Sequence, residues 1–197
     1  ALVQKDFKYV IGFSSVSHMG LVLIGLATLT REGLMGASLQ MFSHGVMTAL
    51  FFSVVGMVYD RAHTRDIASL GGLIKKMPWA AIGFIIGGLV SMGMPGFSGF
   101  VAEFPIFMGA WQTAPVVAII AILGVILTAA YILLTIRRVF FGELPENLTN
   151  ISDISWRDKL VIGVLSLVMI AVGIFPSLLT TMIDSGVTSI LALLGGA

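Results

Sequence analysis

Apolar residues along the chain gather in five blocks, at about 9–29, 34–58, 78–110, 116–136 and 160–183. Each block is at least as long as the ~20 residues a helix needs to cross the hydrocarbon core of a bilayer. The third block is too long for one straight span. It contains Gly93-Met94-Pro95-Gly96-Phe97-Ser98-Gly99, and three glycines with a proline in so short a run will not hold a regular helix. The pattern predicts one discontinuous helix there: a half-span, an unwound stretch at 93–99 and a second half-span. The fold class expected is all-α, a polytopic transmembrane helical bundle of five spans, forming a single membrane domain over 1–197.

Composition agrees with the pattern. Hydrophobic residues make up 57% and charged residues 11%, against roughly 25% charge in a soluble domain. The absence of cysteine excludes thiolate metal sites, disulfides and cysteine nucleophiles. Basic residues are few and scattered, so nucleic acid is not an expected partner. Many of the 23 glycines fall inside the spans, where small residues let membrane helices approach closely. The chain opens on Ala1 without the ordered regions of a signal peptide, and the expectation is a C-terminal part of a longer subunit.

The charges sort the linkers into two sides. With the start of the chain on side one, that side collects Lys5, Lys8, Arg61, Arg65, Lys75, Lys76, Arg137, Arg138, Arg157 and Lys159, and the opposite side only Arg31. The positive-inside rule makes side one cytoplasmic and puts the C-terminus, Gly195-Gly196-Ala197, outside. It also favours a single crossing for the broken block, since a double crossing would move Arg137, Arg138, Arg157 and Lys159 to the wrong side.

Candidate chemistry lies inside the spans. Glu103 is the one carboxylate away from linkers and span ends, four residues after Gly99. A carboxylate at membrane depth is costly and is usually functional or paired. An unwound helix is tolerated where it is buried or lines a wet cavity. Acid and break together point to an ion or proton site; the alternative is a structural carboxylate paired with a neighbouring helix. His18 and His44 are also inside spans, and histidine can accept and donate protons near neutral pH. Ser14, Ser17 and His18 share a face, as do Gln40, His44 and Thr48, and Thr128, Tyr131 and Thr135, by helical spacing. Such groups could hold water between them, or simply bond across helices. His63, in a basic linker, is expected to be structural. A metal site from His18, His44 and Glu103 is conceivable but has no ligand spacing to support it. The dinucleotide fingerprint and the P-loop are absent.

Several of these segments carry a family resemblance. Ser14-Ser15-Val16-Ser17-His18-Met19-Gly20 resembles a motif of the antiporter-like subunits of respiratory complex I, and Gln40-Met41-Phe42-Ser43-His44-Gly45 their next helix. Tyr59-Asp60-Arg61-Ala62-His63-Thr64-Arg65-Asp66, followed by Gly71-Gly72-Leu73, resembles the M-subunit type in particular. The stretch from Gly93 to Phe104 is similar to that type's broken helix, and Gly173-Ile174-Phe175-Pro176 to its last helix. The resemblance implies most of the second inverted repeat plus the final helix of an antiporter-like fold. It implies a proton-translocating membrane subunit of NADH-quinone oxidoreductase, with no redox chemistry or cofactor in this chain and no direct NADH binding. Glu103 matches the glutamate that the M type carries where related subunits and antiporters usually carry lysine. Glu103, His18 and His44 are then the expected proton relay. Partners implied are the neighbouring membrane subunits, lipid and protons, in a bacterial or archaeal plasma membrane. The other readings are a subunit of a multisubunit cation/proton antiporter or membrane-bound hydrogenase, or a structural subunit without a proton path.

The five-span arrangement is testable directly. Cysteines introduced at Ser69 and Thr113 are expected to label from opposite faces of the membrane. Labelling of both from one face would exclude it.

Overall fold

The computed structural model describes residues 1–195; Gly196 and Ala197, and with them the expected outside position of the terminus, lie outside the described residues. The fold consists of α1 (Phe7–Ala27), α2 (Arg31–Ala62), α3 (Pro78–Ser91), α4 (Ser98–Thr113), α5 (Pro115–Phe140), α6 (Trp156–Ile174) and α7 (Ser177–Leu193), joined by short loops and 3-10 turns. Local chemistry marks the ends of these helices. Asp6 caps α1 by accepting from the amides of Lys8 and Tyr9, and Thr30 caps α2 through Gly33. Pro78 and Pro115 begin α3 and α5, where a missing N–H costs nothing. Ser155 and Asp158 form a reciprocal capping box on α6. His63 ends α2 in the left-handed conformation.

α1, α2 and α5 are each long and apolar enough to cross a membrane, and the chain is an integral membrane protein. α2, at 32 residues the longest helix, packs against α1, α3, α4, α6 and α7. Its Gly36 lies so close to α4 that a Cβ there would stand 2.7 Å from the Ile106 amide nitrogen and 2.8 Å from the Ala102 carbonyl. Absence of a side chain is therefore what lets α2 and α4 touch backbone to backbone.

The cation-bearing segments meet at one end of the bundle. The amide of Phe7 donates to Arg65 O and that of Ile67 to Lys5 O, each at 2.8 Å. The amide of Gly72 donates to Phe141 O at 3.0 Å. Arg61 Nη2 reaches Asp158 Oδ2, and Lys159 Nζ reaches Asp153 Oδ2, both at 3.1 Å. Beneath these contacts sits an aromatic cluster in which Phe84 lies 5.0 Å from Phe7, 4.7 Å from Phe51 and 5.4 Å from Phe140 between ring centroids. Arg31, the lone cation assigned to the other side, pairs instead with Asp184 of α7. The contact of Gly72 with Phe141 places the end of α5 beside the start of α3. α5 spans about 39 Å at 1.5 Å per residue, so α4, which joins its far end, finishes at the opposite end of the bundle. α3 and α4 together traverse the bundle once.

The break between them covers 92–97, with Ser98 and Gly99 already helical, a shift of the expected 93–99 stretch toward α3. α3 closes with Gly93 at φ +63°. The amide of Met94 donates to Leu89 O and that of Gly93 to Val90 O, the bond pattern of a Schellman ending. The last block departs from expectation. Instead of one helix over 160–183, α6 and α7 meet at a 67° bend. Pro176 supplies no N–H and forces the preceding Phe175 out of the helical region, at φ −120° and ψ 69°. An 18-residue window of apolar residues does not register that stop, because proline interrupts the backbone without interrupting hydrophobicity.

Replacing Gly36 with valine is expected to separate α2 from α4. An overpacked core contact costs roughly 1–3 kcal/mol, so the variant should unfold at lower temperature in detergent. Unchanged thermal unfolding would show that the two backbones are not held in contact.

Candidate functional site

Four elements converge where the third span is broken. Glu103, in the second turn of α4, is only 4% exposed, and His18 of α1 and Gln40 of α2 are each 2% exposed. His18 Nδ1 lies 3.3 Å from Glu103 Oε1. Gln40 Nε2 lies 3.2 Å from His18 Nδ1 and 3.5 Å from Glu103 Oε1. The other ring nitrogen, His18 Nε2, shares a 3.0 Å hydrogen bond with the hydroxyl of Ser91, the last residue of α3. Among the described residues, His18 is the one basic side chain paired with Glu103. The carboxylate is thus paired with an imidazole rather than with a lysine or arginine.

The break makes room for this carboxylate. Gly93 adopts φ +63°, and a Cβ on it would stand 2.8 Å from Glu103 Oε2. One carboxylate oxygen thus faces the histidine and glutamine, while the other faces the unwound backbone. A further hydroxyl pair, Ser43 with Ser98 at 2.8 Å, ties α2 to the first residue of α4. A cavity of about 200 Å³ runs past Ser17, His18, Ser91, Glu103 and Thr128. A buried water needs roughly 10–15 Å³ of such space and two to four polar partners, so the cavity can hold several.

The sequence-predicted residues fare differently. Glu103 and His18 are brought into contact. His44 is half-buried one ring further along, with its centroid 5.4 Å from that of His18, and its Nδ1 is buried without a protein partner. Among the described residues no group of three His, Cys, Asp or Glu side chains is placed to hold a metal ion. Of the stripe residues, His18 and Gln40 bond across helices, while the threonines bond within their own. Thr48, Thr128 and Thr135 donate to His44 O, Gly124 O and Tyr131 O on their own helices. Ser14 Oγ and the Tyr131 hydroxyl are buried and unpartnered among the described residues. Sequence reasoning missed Ser91 and the Ser43–Ser98 pair. Their signal was weak, since a serine at the end of an apolar half-helix looks like any small packing residue.

Gly93→Ala should displace the Glu103 carboxylate, because the added methyl meets Oε2 and the residue must also leave a left-handed conformation that costs about 1–2 kcal/mol for an L side chain. A structure of that variant with Oε1 still 3.3 Å from His18 Nδ1 would contradict this.

With this geometry in view, the chain can be set beside known proteins. NADH-quinone oxidoreductase subunit M of Rhodobacter capsulatus is 45% identical over 188 residues, covering 95% of this chain and 37% of the relative. F(420)H(2) dehydrogenase subunit M of Methanosarcina mazei is 37% identical over 196 residues, covering 100% of this chain and 40% of the relative. The chain thus spans about two-fifths of the length of the curated relatives it matches. Among solved structures, respiratory complex I from Thermus thermophilus with bound NADH superposes with a TM-score of 0.91 at 32% identity, over 99% of this chain and 41% of the matched one. The Mrp complex from Dietzia sp. DQ12-45-1b shares the fold, with a TM-score of 0.84 at 22% identity over 94% of this chain and 43% of that one. The family model described as NADH:quinone oxidoreductase/Mrp antiporter, transmembrane, matches residues 1–129. The chain belongs to the NADH:quinone oxidoreductase/Mrp antiporter transmembrane family.

Proposed function

We propose that this chain forms part of a proton-translocating membrane subunit of an NADH-quinone oxidoreductase, of the M type, and that Glu103 is its proton carrier. The observation that carries the proposal is the 3.3 Å contact between buried Glu103 and His18 beside a helix break. A carboxylic acid and an imidazole at that separation can exchange one proton with little movement, since a proton carrier must sit within hydrogen-bond reach of its donor or acceptor. In one state Glu103 is protonated and His18 neutral. In the other the proton is on Nδ1 and the pair is ionised. The ionised state keeps charge in a poorly solvated place, where it is tolerated because the two charges are adjacent and hydrogen-bonded.

His44, next to His18, is the further relay group. Buried polar atoms normally find a partner, and His44 Nδ1, Gln40 Oε1, Ser14 Oγ and the Tyr131 hydroxyl have none among the described residues. Water in the cavity, which runs past Ser17, His18, Ser91, Glu103 and Thr128, would stand beside the acid and the imidazole. Electron transfer belongs to other subunits, and this chain holds no redox cofactor and does not bind NADH. The neighbouring membrane subunits are its partners in the complex. The end of the bundle that gathers Lys5, Arg65, Arg61 and Lys159 is cytoplasmic by the positive-inside rule. A second reading keeps the same proton path but a different electron donor. It is favoured by the full-length match of this chain to a subunit of F(420)H(2) dehydrogenase.

Glu103→Gln keeps the shape of the side chain and removes its titration. In the full-length subunit within its assembled complex, proton pumping should fall roughly a hundred-fold, the lower end of what a positioned proton carrier contributes. Coupled electron transfer should fall with it while assembly survives, and Glu103→Asp should be milder. Complex content, electron transfer and pumping are measured in the same membranes. Normal pumping by Glu103→Gln in an intact complex would remove Glu103 from the path.

A further inference from the structure

We propose that Gln40 is a positioning residue that acts as a latch on the relay, deciding when the proton can pass between Glu103 and His18. The proposal rests on the proton-carrier reading of Glu103. Its basis is a triangle of three buried atoms. Gln40 Nε2 is 3.2 Å from His18 Nδ1 and 3.5 Å from Glu103 Oε1, and those two acceptors are 3.3 Å apart. The amide is placed with its nitrogen toward both acceptors, the orientation that suits an ionised carboxylate, which the amide oxygen would repel.

Only one of these contacts can use Nδ1 at a time. An imidazole nitrogen either offers one lone pair or carries one N–H. When Gln40 donates to the Nδ1 lone pair, that lone pair is occupied, and Glu103 cannot deliver a proton to it. When Gln40 turns its N–H to Glu103 Oε1, the lone pair is free. The transfer is then balanced: the O–H bond of Glu103 breaks, an N–H bond forms at Nδ1, the carboxyl becomes a carboxylate and the ring an imidazolium. His18 keeps its Nε2–H, which donates to Ser91. The Gln40 N–H now donates to the carboxylate, a charge-assisted bond.

Two features suit Gln40 to this switch. It is 2% exposed, so its amide has no bulk water to turn toward. Its Oε1 has no hydrogen-bond partner among the described residues, so no second bond pins the amide to one acceptor. A small rotation about the side-chain axis is enough to change which atom receives the donor. With the latch on Nδ1, a proton held by Glu103 is denied return to His18. Its remaining route is through Oε2, the oxygen that faces Gly93 and the break. The latch therefore opens or closes the His18 side of the relay.

Gln40→Met tests this, since methionine is unbranched and of similar length but donates nothing. The full-length subunit is assembled in its complex and placed in proteoliposomes, and protons moved per electron are measured. The carboxyl C=O stretching band of Glu103 is assigned by its loss in Glu103→Gln. The expected result is continued electron transfer with fewer protons per electron, and a carboxyl band that shifts in frequency because Oε1 has lost a donor. A full proton-to-electron ratio with an unmoved band overturns the proposal. If Gln40→Met does not assemble, Gln40→Asn, whose amide is withdrawn by one methylene, must show the same fall in ratio, and a full ratio there overturns it equally. The two readings fail separately. Normal pumping by Glu103→Gln removes the proton carrier itself. Loss of pumping in Glu103→Gln alongside a full ratio in Gln40→Met removes only the latch.

Discussion

A carboxylate kept away from water must be met by groups that tolerate both of its protonation states, and Glu103 depends on that requirement being fulfilled. Its neighbours are a histidine and a neutral amide rather than a fixed cation. They stabilise the negative charge when it is present and leave the acid intact when it is not. The contact with His18 needs α1 and α4 side by side, and the contact with Gln40 needs α2 to lie against both. The packing of three helices thus gathers these groups around one side chain that none of them could bury alone.

The break at 92–97 serves the same end. Ending α3 in a left-handed glycine satisfies its terminal carbonyls locally, so the unwound backbone does not need lipid-facing partners. The same glycine has no Cβ and admits a carboxylate oxygen. Ser91, the final residue of α3, orients the far side of the His18 ring. A continuous helix would carry neither Gly93 in that conformation nor Ser91 at a helix end, and Glu103 would meet a wall of side chains.

The two ends of the bundle divide the labour differently. One end is held by apolar weight, with Phe7, Phe51, Phe84 and Phe140 packed beneath loops cross-linked by backbone bonds and by Arg61–Asp158. The middle of the bundle holds the polar cluster and its cavity. Rigid packing at one end lets buried polar groups in the middle keep fixed distances. The likeness to the Mrp complex at low identity shows that the scaffold itself is shared.

Much of this architecture was legible in the chain of residues. Hydrophobic run length is a direct consequence of bilayer thickness, so the membrane blocks, the broken third span and the isolation of Glu103 followed from sequence. The clustering of cations in alternate linkers followed as well, and the structure brings those linkers together at one end. What stayed hidden had physical causes. Pro176 bends the last block through the backbone while its neighbours remain apolar, so hydropathy passes over it. Threonines at helical spacing resemble an interhelical stripe, yet each bonds a carbonyl one turn back on its own helix, a choice made by local geometry. The buried acid–imidazole pair joins residues 18 and 103, with an amide from 40 and a hydroxyl from 91. Helical period can say which face each occupies but not which faces meet. That meeting was decided by tertiary packing, where glycines such as Gly36 set how closely two helices approach and thereby which polar atoms come within hydrogen-bond distance.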